Sequence, residues 1–343
     1  MRQIVAARSR QNGATMTRAV PAVSSASAHA SASASAVASA STPPARGLGL
    51  DAGGTQTRWA VADDQGRVLA EGSAAALSGQ QLSEADGHAQ AAATLRSIAQ
   101  AAGPVHAVVA GVTGLAAAQA PVLAELAADA FDVAVVDVQA LSDIELLCLA
   151  AFAPGQGIVV YAGTGSIAAF IDAAGTLHRA GGRGAVIDDG GSGHWVAREA
   201  LRRIWRAEDA APGAWTTSPL ARQVFAQIGG NDWAATRSWV YGATRGELGT
   251  LALAVAAAAE ADPDAMAILQ AAGNELARLA AALLKRHGLH PLALAGRVFD
   301  LHPAVEQALR AALPPGCAAH RLTTPAHTAA ALRAARSATR NRP

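Results

Sequence analysis

The sequence predicts an α/β protein made of two like domains, and three observations carry that reading. Apolar strand-like runs alternate with helical stretches along most of the chain, as expected where parallel strands are joined through helices. A unit of strand, Gly/Thr turn and strand occurs twice, 109 residues apart and in register. The 343 residues suffice for two domains, each with its own core.

The first copy is organised around residues 47–57, GLGLDAGGTQT. A short apolar run ends in Asp51, then come Gly53, Gly54, Thr55 and Thr57, and a second apolar run starts at Trp59. This reads as a hairpin. Glycine lets the turn backbone approach a ligand closely, and successive N–H groups there form an anion-binding concavity. An acid at the strand end suits hydrated Mg²⁺, which binds through one or two carboxylates plus phosphates. Alone, the stretch is equally an ordinary Gly-rich hairpin. The second copy sharpens it. Gly54-Thr55-Gln56-Thr57 aligns with Gly163-Thr164-Gly165-Ser166, Asp63 and Gly66 with Asp172 and Gly175, and Gly72 with Gly181. Two facing loops of this kind would clamp the phosphates of a nucleotide from both sides.

Between and beyond the two copies (about 46–73 and 157–181) the elements follow in order. A helix is expected over about 83–102, a strand over 105–110, a turn at Gly111–Leu115 and a helix to about 129. The run 133–137 reads as a strand leading into a helix that carries Ser142-Asp143, where either residue could cap the helix. After the second copy, the Gly-rich segment with Asp188 and Asp189 precedes a helix from about 195, and helix N-termini attract anions. Residues 196–288 read as mostly helical, broken at Pro212-Gly213, Gly229-Gly230 and Pro263. A buried strand ends at Gly296, a helix starts near 303, a strand lies near 319–322, and a closing helix spans 326–338.

Composition narrows the function. Residues 1–45 are rich in Ala, Ser and Arg, and the first acid of the chain is Asp51. Such a segment cannot offset its ordering entropy. It reads as a disordered tail, transit-peptide-like or an over-long start with Met16 or a later codon as the true beginning. Five of the 27 basic residues lie in 1–46, leaving 22 against 26 acids, a net of −4. That balance gives no reason to expect nucleic acid or an anionic membrane as partner, and no apolar run is long enough to span a bilayer. Two cysteines, Cys148 and Cys317, make neither a disulfide scaffold nor an all-Cys metal site and fit a reducing cytoplasm. Lys285 is the only lysine. A Walker A loop needs one, so phosphates would be held by backbone N–H groups, hydroxyls and a metal.

The residues from about 46 to 338 resemble the BadF/BadG/BcrA/BcrD-type ATPase family, within the actin-like, hexokinase-like and Hsp70-like superfamily, and look most like its N-acetylglucosamine and glucosamine kinases. The matching motifs are residues 51–57, Ser142-Asp143, 163–166, Gly181-Gly182 with 189–193, Ala295-Gly296 and Pro325-Ala326-His327. The resemblance implies two ribonuclease H-like domains, 46–141 and 142–325, with the closing helix returning to the first, around a cleft for Mg²⁺-ATP and an amino sugar. It implies Asp143 as general base on the sugar hydroxyl (the 6-hydroxyl in the family's kinases) and Asp51 as metal ligand through water. Gly53, Gly54, Thr55 and Thr57 would line one phosphate loop, and Gly163, Thr164, Gly165 and Ser166 the other. Thr113, Gly114 and Asp189 would touch the sugar, and Gly296 the adenosine. A homodimer is the expected assembly. The chain departs from the pattern at Arg183, at Gly190 where an acid is usual, at Arg297 where a second glycine is usual, and near 78–81, where an expected Asn is absent and Gln80 and Gln81 lie nearby. Other readings stay open. The family also holds ATP-driven dehydratase activators, which need suitably placed cysteines, and a non-catalytic sugar or nucleotide sensor would keep the fold. A Rossmann reading of residues 163–168 is weak, because a strand follows the glycines.

Overall fold

The computed structural model describes residues 43–341, so the expected tail falls outside them except for its last three positions. Strands β1 (Arg46–Ala52), β2 (Thr57–Asp63), β3 (Val68–Ala74), β4 (Ala107–Val112) and β5 (Val138–Ser142) form a sheet in the order β3-β2-β1-β4-β5. Strands β6 (Ile158–Ala162), β7 (Ser166–Ile171), β8 (Leu177–Gly181), β9 (Leu292–Ala295) and β10 (Ala319–Arg321) form a second, in the order β8-β7-β6-β9-β10. The two orders are the same. In each sheet the first three strands are an antiparallel meander, and the last two run parallel to the first.

The repeat extends to single hydrogen bonds. Asp63 Oδ1 accepts from Gln65 N at 3.1 Å and Arg67 N at 2.9 Å. Asp172 Oδ1 accepts from Ala174 N at 3.0 Å and Thr176 N at 2.8 Å, the same two offsets. Gly66 and Gly175 each follow with positive φ, +88° and +84°. An acid that bonds the backbone two and four residues on, then a left-handed glycine, makes one turn twice.

Helices α1 (Ala85–Ala102) and α2 (Ala120–Phe131) cover one face of the first sheet, where Leu48, Leu50, Val108 and Val112 meet Leu95, Ile98 and Leu123. The other face receives α3 (Asp143–Ala151) and the closing helix α10 (Ala326–Asn341). Strand β1 carries glycine at each position under α10. A Cβ on Gly47 would lie 2.7 Å from Ala331 O, and one on Gly49 would lie 2.7 Å from Ala330 Cβ. The alanines of α10 match this from the other side, so helix and strand meet nearly backbone to backbone. Helix α3 belongs to both sheets: Leu146 packs under β4, while Ile144 and Cys148 pack with Val159, Ala169 and Ile171.

The largest core lies on the second sheet, under α4 (Gly193–Ala210), α5 (Pro219–Ile228), α7 (Arg245–Ala258), α8 (Pro263–His287) and α9 (Pro303–Ala311), with α6 (Trp233–Gly242) outside α5. Among the described residues, no helix is long and apolar enough to cross a membrane.

Two expectations are corrected. The strand expected at 133–137 lies at 138–142 instead; Val135–Asp137 form a 3₁₀ turn with Val136 83% exposed. Residues 132–137 are used in returning the chain from α2 to the sheet edge, and pairing with β4 begins only at Val108↔Val138. The helical stretch 196–288 is also broken at 243–244, where Thr244 starts α7 with its own capping box.

Candidate active site

Three parallel strands, β1, β4 and β5, end side by side, and their C-terminal ends carry most of the expected residues. In open α/β sheets this is where ligands bind. Asp51 stands opposite Arg58 on β2 and Gly111 on β4, and Val112 stands opposite Ser142 on β5. At ~4.8 Å per strand, the ends of β1 and β5 are ~10 Å apart. Helix α3 closes that gap. Ser142 caps it: its Oγ accepts from Glu145 N at 3.3 Å, and Glu145 Oε2 accepts from Ser142 N at 2.9 Å. That reciprocal box is written in the sequence as Ser-x-x-Glu. Asp143 is therefore the first helical residue and not the cap. Its Oδ1 accepts from Ile144 N at 2.8 Å. Leu146 seats the helix against β4, where a Cβ on Gly111 would lie 2.6 Å from Leu146 Cβ.

The two carboxylates share one environment. Burial raises the pKa of Asp51 above the usual carboxylate value, the nearby Asp143 charge raises it further, and Arg58 opposes both. A pair of acids, one pushed toward the neutral form by burial and a like charge, is the electrostatic pattern of a site awaiting a cation.

The first loop follows Asp51. Gly53 N donates to Gln56 O at 3.0 Å, while Gly54 and Thr55 are exposed. Thr113 N donates to Ala52 O at 2.9 Å and Thr113 O accepts from Gly79 N at 2.9 Å, so Thr113, Gly114 and the 78–81 segment are tied to the same strand ends. Gln81 is spent locally, accepting from Ser78 N at 2.9 Å, and Gln80 is exposed. Thr57 is fully buried and its Oγ1 has no partner among the described residues. It lies on the strand face opposite Asp51, so its hydroxyl does not line the loop surface.

The second loop begins where β6 ends. Gly163 N donates to Gly165 O at 2.8 Å, and Gly193 N, the first residue of α4, donates to Gly163 O at 2.8 Å. Thr164 and Gly165 are half-buried, whereas the hydroxyl of Ser166 is buried and donates to Gly190 O at 2.7 Å. Ser166 thus fastens the loop to the segment of Asp189. Gly296 adopts φ +101° and packs on the Ala162 backbone just before the loop. Asp189 is 2% exposed and its carboxylate pairs with Arg245. At Gly190, the departure from the acid usual in the resembling family, a Cβ would lie 2.7 Å from Glu275 Oε2, so an acid from α8 already occupies that side.

Three residues came unforeseen from sequence, Arg58, Tyr161 and Arg245, and Arg297, read there only as a departure beside Gly296, joins them. Tyr161 lies over the second loop, where a Cβ on Gly163 would meet its hydroxyl at 2.5 Å. Although 37% exposed, its phenol is held above the usual pKa by desolvation and then by the charges of Asp143 and Asp51, with Arg297 and Arg58 opposing. A side chain of the second sheet thus stands in the field of both carboxylates of the first. Nothing in the sequence pattern pairs these positions.

Among the described residues, no group of three or more His, Cys, Asp or Glu could hold a metal. The donor set here fits Mg²⁺, which needs one or two carboxylates and completes its shell with water and phosphate oxygens.

Comparison with known proteins places this arrangement. The model of the BadF/BadG/BcrA/BcrD ATPase family matches residues 48–316. No curated protein matches the chain. Among solved structures, one similar protein is designated a candidate N-acetylglucosamine kinase from Chromobacterium violaceum. It is 29% identical, with 85% of this chain and 99% of that one covered and a TM-score of 0.63. Another, from Porphyromonas gingivalis and designated likewise, is 16% identical over 82% of this chain and 96% of its own, with a TM-score of 0.59. A ROK family glucokinase from Streptomyces griseus, in complex with glucose and AMPPNP, is 18% identical over 86% and 100%, with a TM-score of 0.55. The fold is that of the actin-like sugar kinases.

Proposed function

We propose that this chain, which belongs to the BadF/BadG/BcrA/BcrD ATPase family, is an ATP-dependent kinase that phosphorylates N-acetylglucosamine or glucosamine on a hydroxyl, the 6-hydroxyl first. The observation that carries the reading is the placement of Asp51 and Asp143 together at the strand ends, with Tyr161 of β6, beside the second loop, in the field of both. Phosphoryl transfer is mostly positioning and electrostatics, with a carboxylate to orient the attacking hydroxyl.

In this mechanism Asp143 accepts the proton of the sugar hydroxyl. The hydroxyl oxygen bonds to the γ-phosphorus as the bond to the β,γ-bridging oxygen breaks, and ADP leaves. The exposed N–H groups of Gly54 and Thr55 hold phosphate oxygens from one side, and the 163–165 turn holds them from the other. Asp51 would hold Mg²⁺, which would supply positive charge to offset that of the phosphates. Thr113, Gly114 and the adjoining Gly79–Gln80 segment flank the sugar. Residues 46–141 with α10 act as one lobe and 142–325 as the other.

The dehydratase-activator alternative requires cysteines able to bind a cluster at the surface. Cys148 is buried, and burial, aided by Glu145, pushes its thiol up to about 12, which disfavours the thiolate. The test is ADP release with Mg²⁺-ATP against a panel of glucosamine, N-acetylglucosamine, N-acetylmuramate and glucose. Sugar-dependent ADP formation with an amino sugar supports the assignment; ATP hydrolysis indifferent to every sugar overturns it.

A further inference from the structure

We propose that the cavity between α10 and the edge of the first sheet binds one phosphoryl group, that of inorganic phosphate or of a sugar phosphate, through Arg333, Ser337 and Arg340. The site is separate from the catalytic cleft and does not rest on the kinase reading.

The spacing of these residues brings them to one side of the helix. Arg333, Ser337 and Arg340 stand at i, i+4 and i+7 along the second half of α10, and residues so spaced are surface neighbours. All three border a cavity of about 70 Å³, closed on its other side by residues 107–109 of β4 and by Asp137 and Gln139 at the sheet edge. A water takes about 30 Å³ of liquid, so this space suits one tetrahedral group and excludes a nucleotide. It lies toward the N-terminal ends of the strands. Gln139 pairs with Val109, three residues before Ser142 and Val112 at the candidate active site, or ~10 Å along the strand.

The charge there is unbalanced. Arg333 is half-buried, and its Nε donates to a neutral acceptor, Gln139 Oε1, at 3.0 Å. Its two Nη groups have no hydrogen-bond partner among the described residues, and neither has Arg340 or the hydroxyl of Ser337. Thr339 shows the usual alternative for a helical hydroxyl, donating to Ala335 O at 3.1 Å. A third guanidinium, Arg336, adds to the same field while its Nε donates to Leu332 O at 3.2 Å. Asp137 is the one acid among the described residues that line the cavity. Like charges three and four residues apart repel on a helix. Burial, then Arg340 and Arg336, accordingly lower the pKa of Arg333, although a guanidinium stays protonated. The helix dipole accounts for Arg340 in the last turn, but not for Arg333 two turns earlier. An anion would relieve the repulsion.

A guanidinium presents paired N–H donors that match phosphate oxygens. Two arginines from successive turns, with a hydroxyl between them, offer donors in different directions. That suits a tetrahedral oxyanion better than a planar carboxylate, and a dianion offsets two guanidinium charges. Bound there, it would tie α10 to β5, the strand that leads into Ser142 and Asp143.

The test is calorimetric titration of the full chain with inorganic phosphate and, separately, with glucosamine 6-phosphate. Chloride buffer holds the ionic strength constant, and each titration is repeated with Mg²⁺-AMPPNP present to fill the cleft. One phosphate should bind per chain with or without the nucleotide. Arg333→Gln and Arg340→Gln should each weaken it about 10–100-fold, the loss of a charge-assisted contact, and leave Mg²⁺-AMPPNP affinity within twofold. Phosphate should also raise the melting point of wild type and not that of Arg340→Gln. Arg340 is exposed, so its variant reports even if Arg333→Gln does not fold. Tighter binding of glucosamine 6-phosphate than of phosphate assigns the site to a sugar phosphate, and the reverse assigns it to free phosphate. Binding of neither, binding within twofold of wild type in the folded variants, or binding abolished by Mg²⁺-AMPPNP refutes the site.

Discussion

Asp143→Asn separates chemistry from structure at the centre of the site. The structural cost is small and comes from three sources. Capping is untouched, because Ser142 and Glu145 supply it at 3.3 and 2.9 Å. The charge at the first turn of α3 is lost, which is worth about 0.3–1 kcal/mol against the helix dipole. Repulsion with Asp51 is relieved, which acts in the opposite direction. The net change in stability should therefore stay below about 1 kcal/mol. The catalytic cost is larger. Loss of a general base typically removes ~10²–10⁴-fold in rate, or about 2.7–5.4 kcal/mol of barrier at 1.36 kcal/mol per decade. Asparagine keeps the shape and can still accept from the sugar hydroxyl, so sugar KM should change little. A coupled ADP assay gives kcat and KM, and scanning calorimetry confirms the fold. A folded variant with kcat within about threefold of wild type would mean that Asp143 is not the base.

Three further outcomes follow from the same geometry. Ser142→Ala removes a helix cap and should cost about 1 kcal/mol, a melting shift of a few degrees, and should lower kcat less than Asp143→Asn does; an unchanged melting point would contradict the capping box as described. Asp51 has a raised folded pKa, so its ionised form is disfavoured on folding, and above about pH 5 Asp51→Asn should melt no lower than wild type in Mg²⁺-free buffer. The same variant should lose about 10²-fold or more in Mg²⁺-dependent kcat, and a lower melting point with full activity would refute both points. His327 is buried with Nδ1 unpartnered, and burial holds its pKa below normal, with Glu71 opposing and Arg58 adding. The unfolded chain then binds the extra proton first as pH falls through about 6.5, so the melting point should drop between pH 7.5 and 5.5. His327→Gln should flatten that slope, and an identical slope would acquit His327.

What was legible in the sequence was local chemistry. The two Asp/Gly turns at 63–66 and 172–175 are fixed by side chains bonding to their own backbone, so their repetition could be seen at a fixed offset. The Ser-x-x-Glu and Thr-x-x-Glu boxes at 142 and 244 were equally readable; reading the second would have separated α6 from α7. Gly47 and Gly49 were legible only in part. They sit in the apolar run that reads as a strand, yet nothing local shows that their role is to admit α10, nearly 300 residues later. Strand β5 was misplaced because Val133–Val136 has strand composition, while pairing with β4 sets the actual register. Arg297 was legible only as a missing second glycine, and Arg58, Tyr161 and Arg245 could not be found at all: each is an ordinary residue until tertiary packing sets it beside a phosphate loop or a carboxylate.

The central claim is that this cleft transfers a phosphoryl group to an amino sugar. The most direct measurement is ³¹P NMR of the purified protein with Mg²⁺-ATP and glucosamine or N-acetylglucosamine. The account predicts a new sugar-phosphate resonance growing in equal amount with ADP, and dependent on both Mg²⁺ and the sugar. ADP with inorganic phosphate alone, at a rate independent of every sugar, would contradict it.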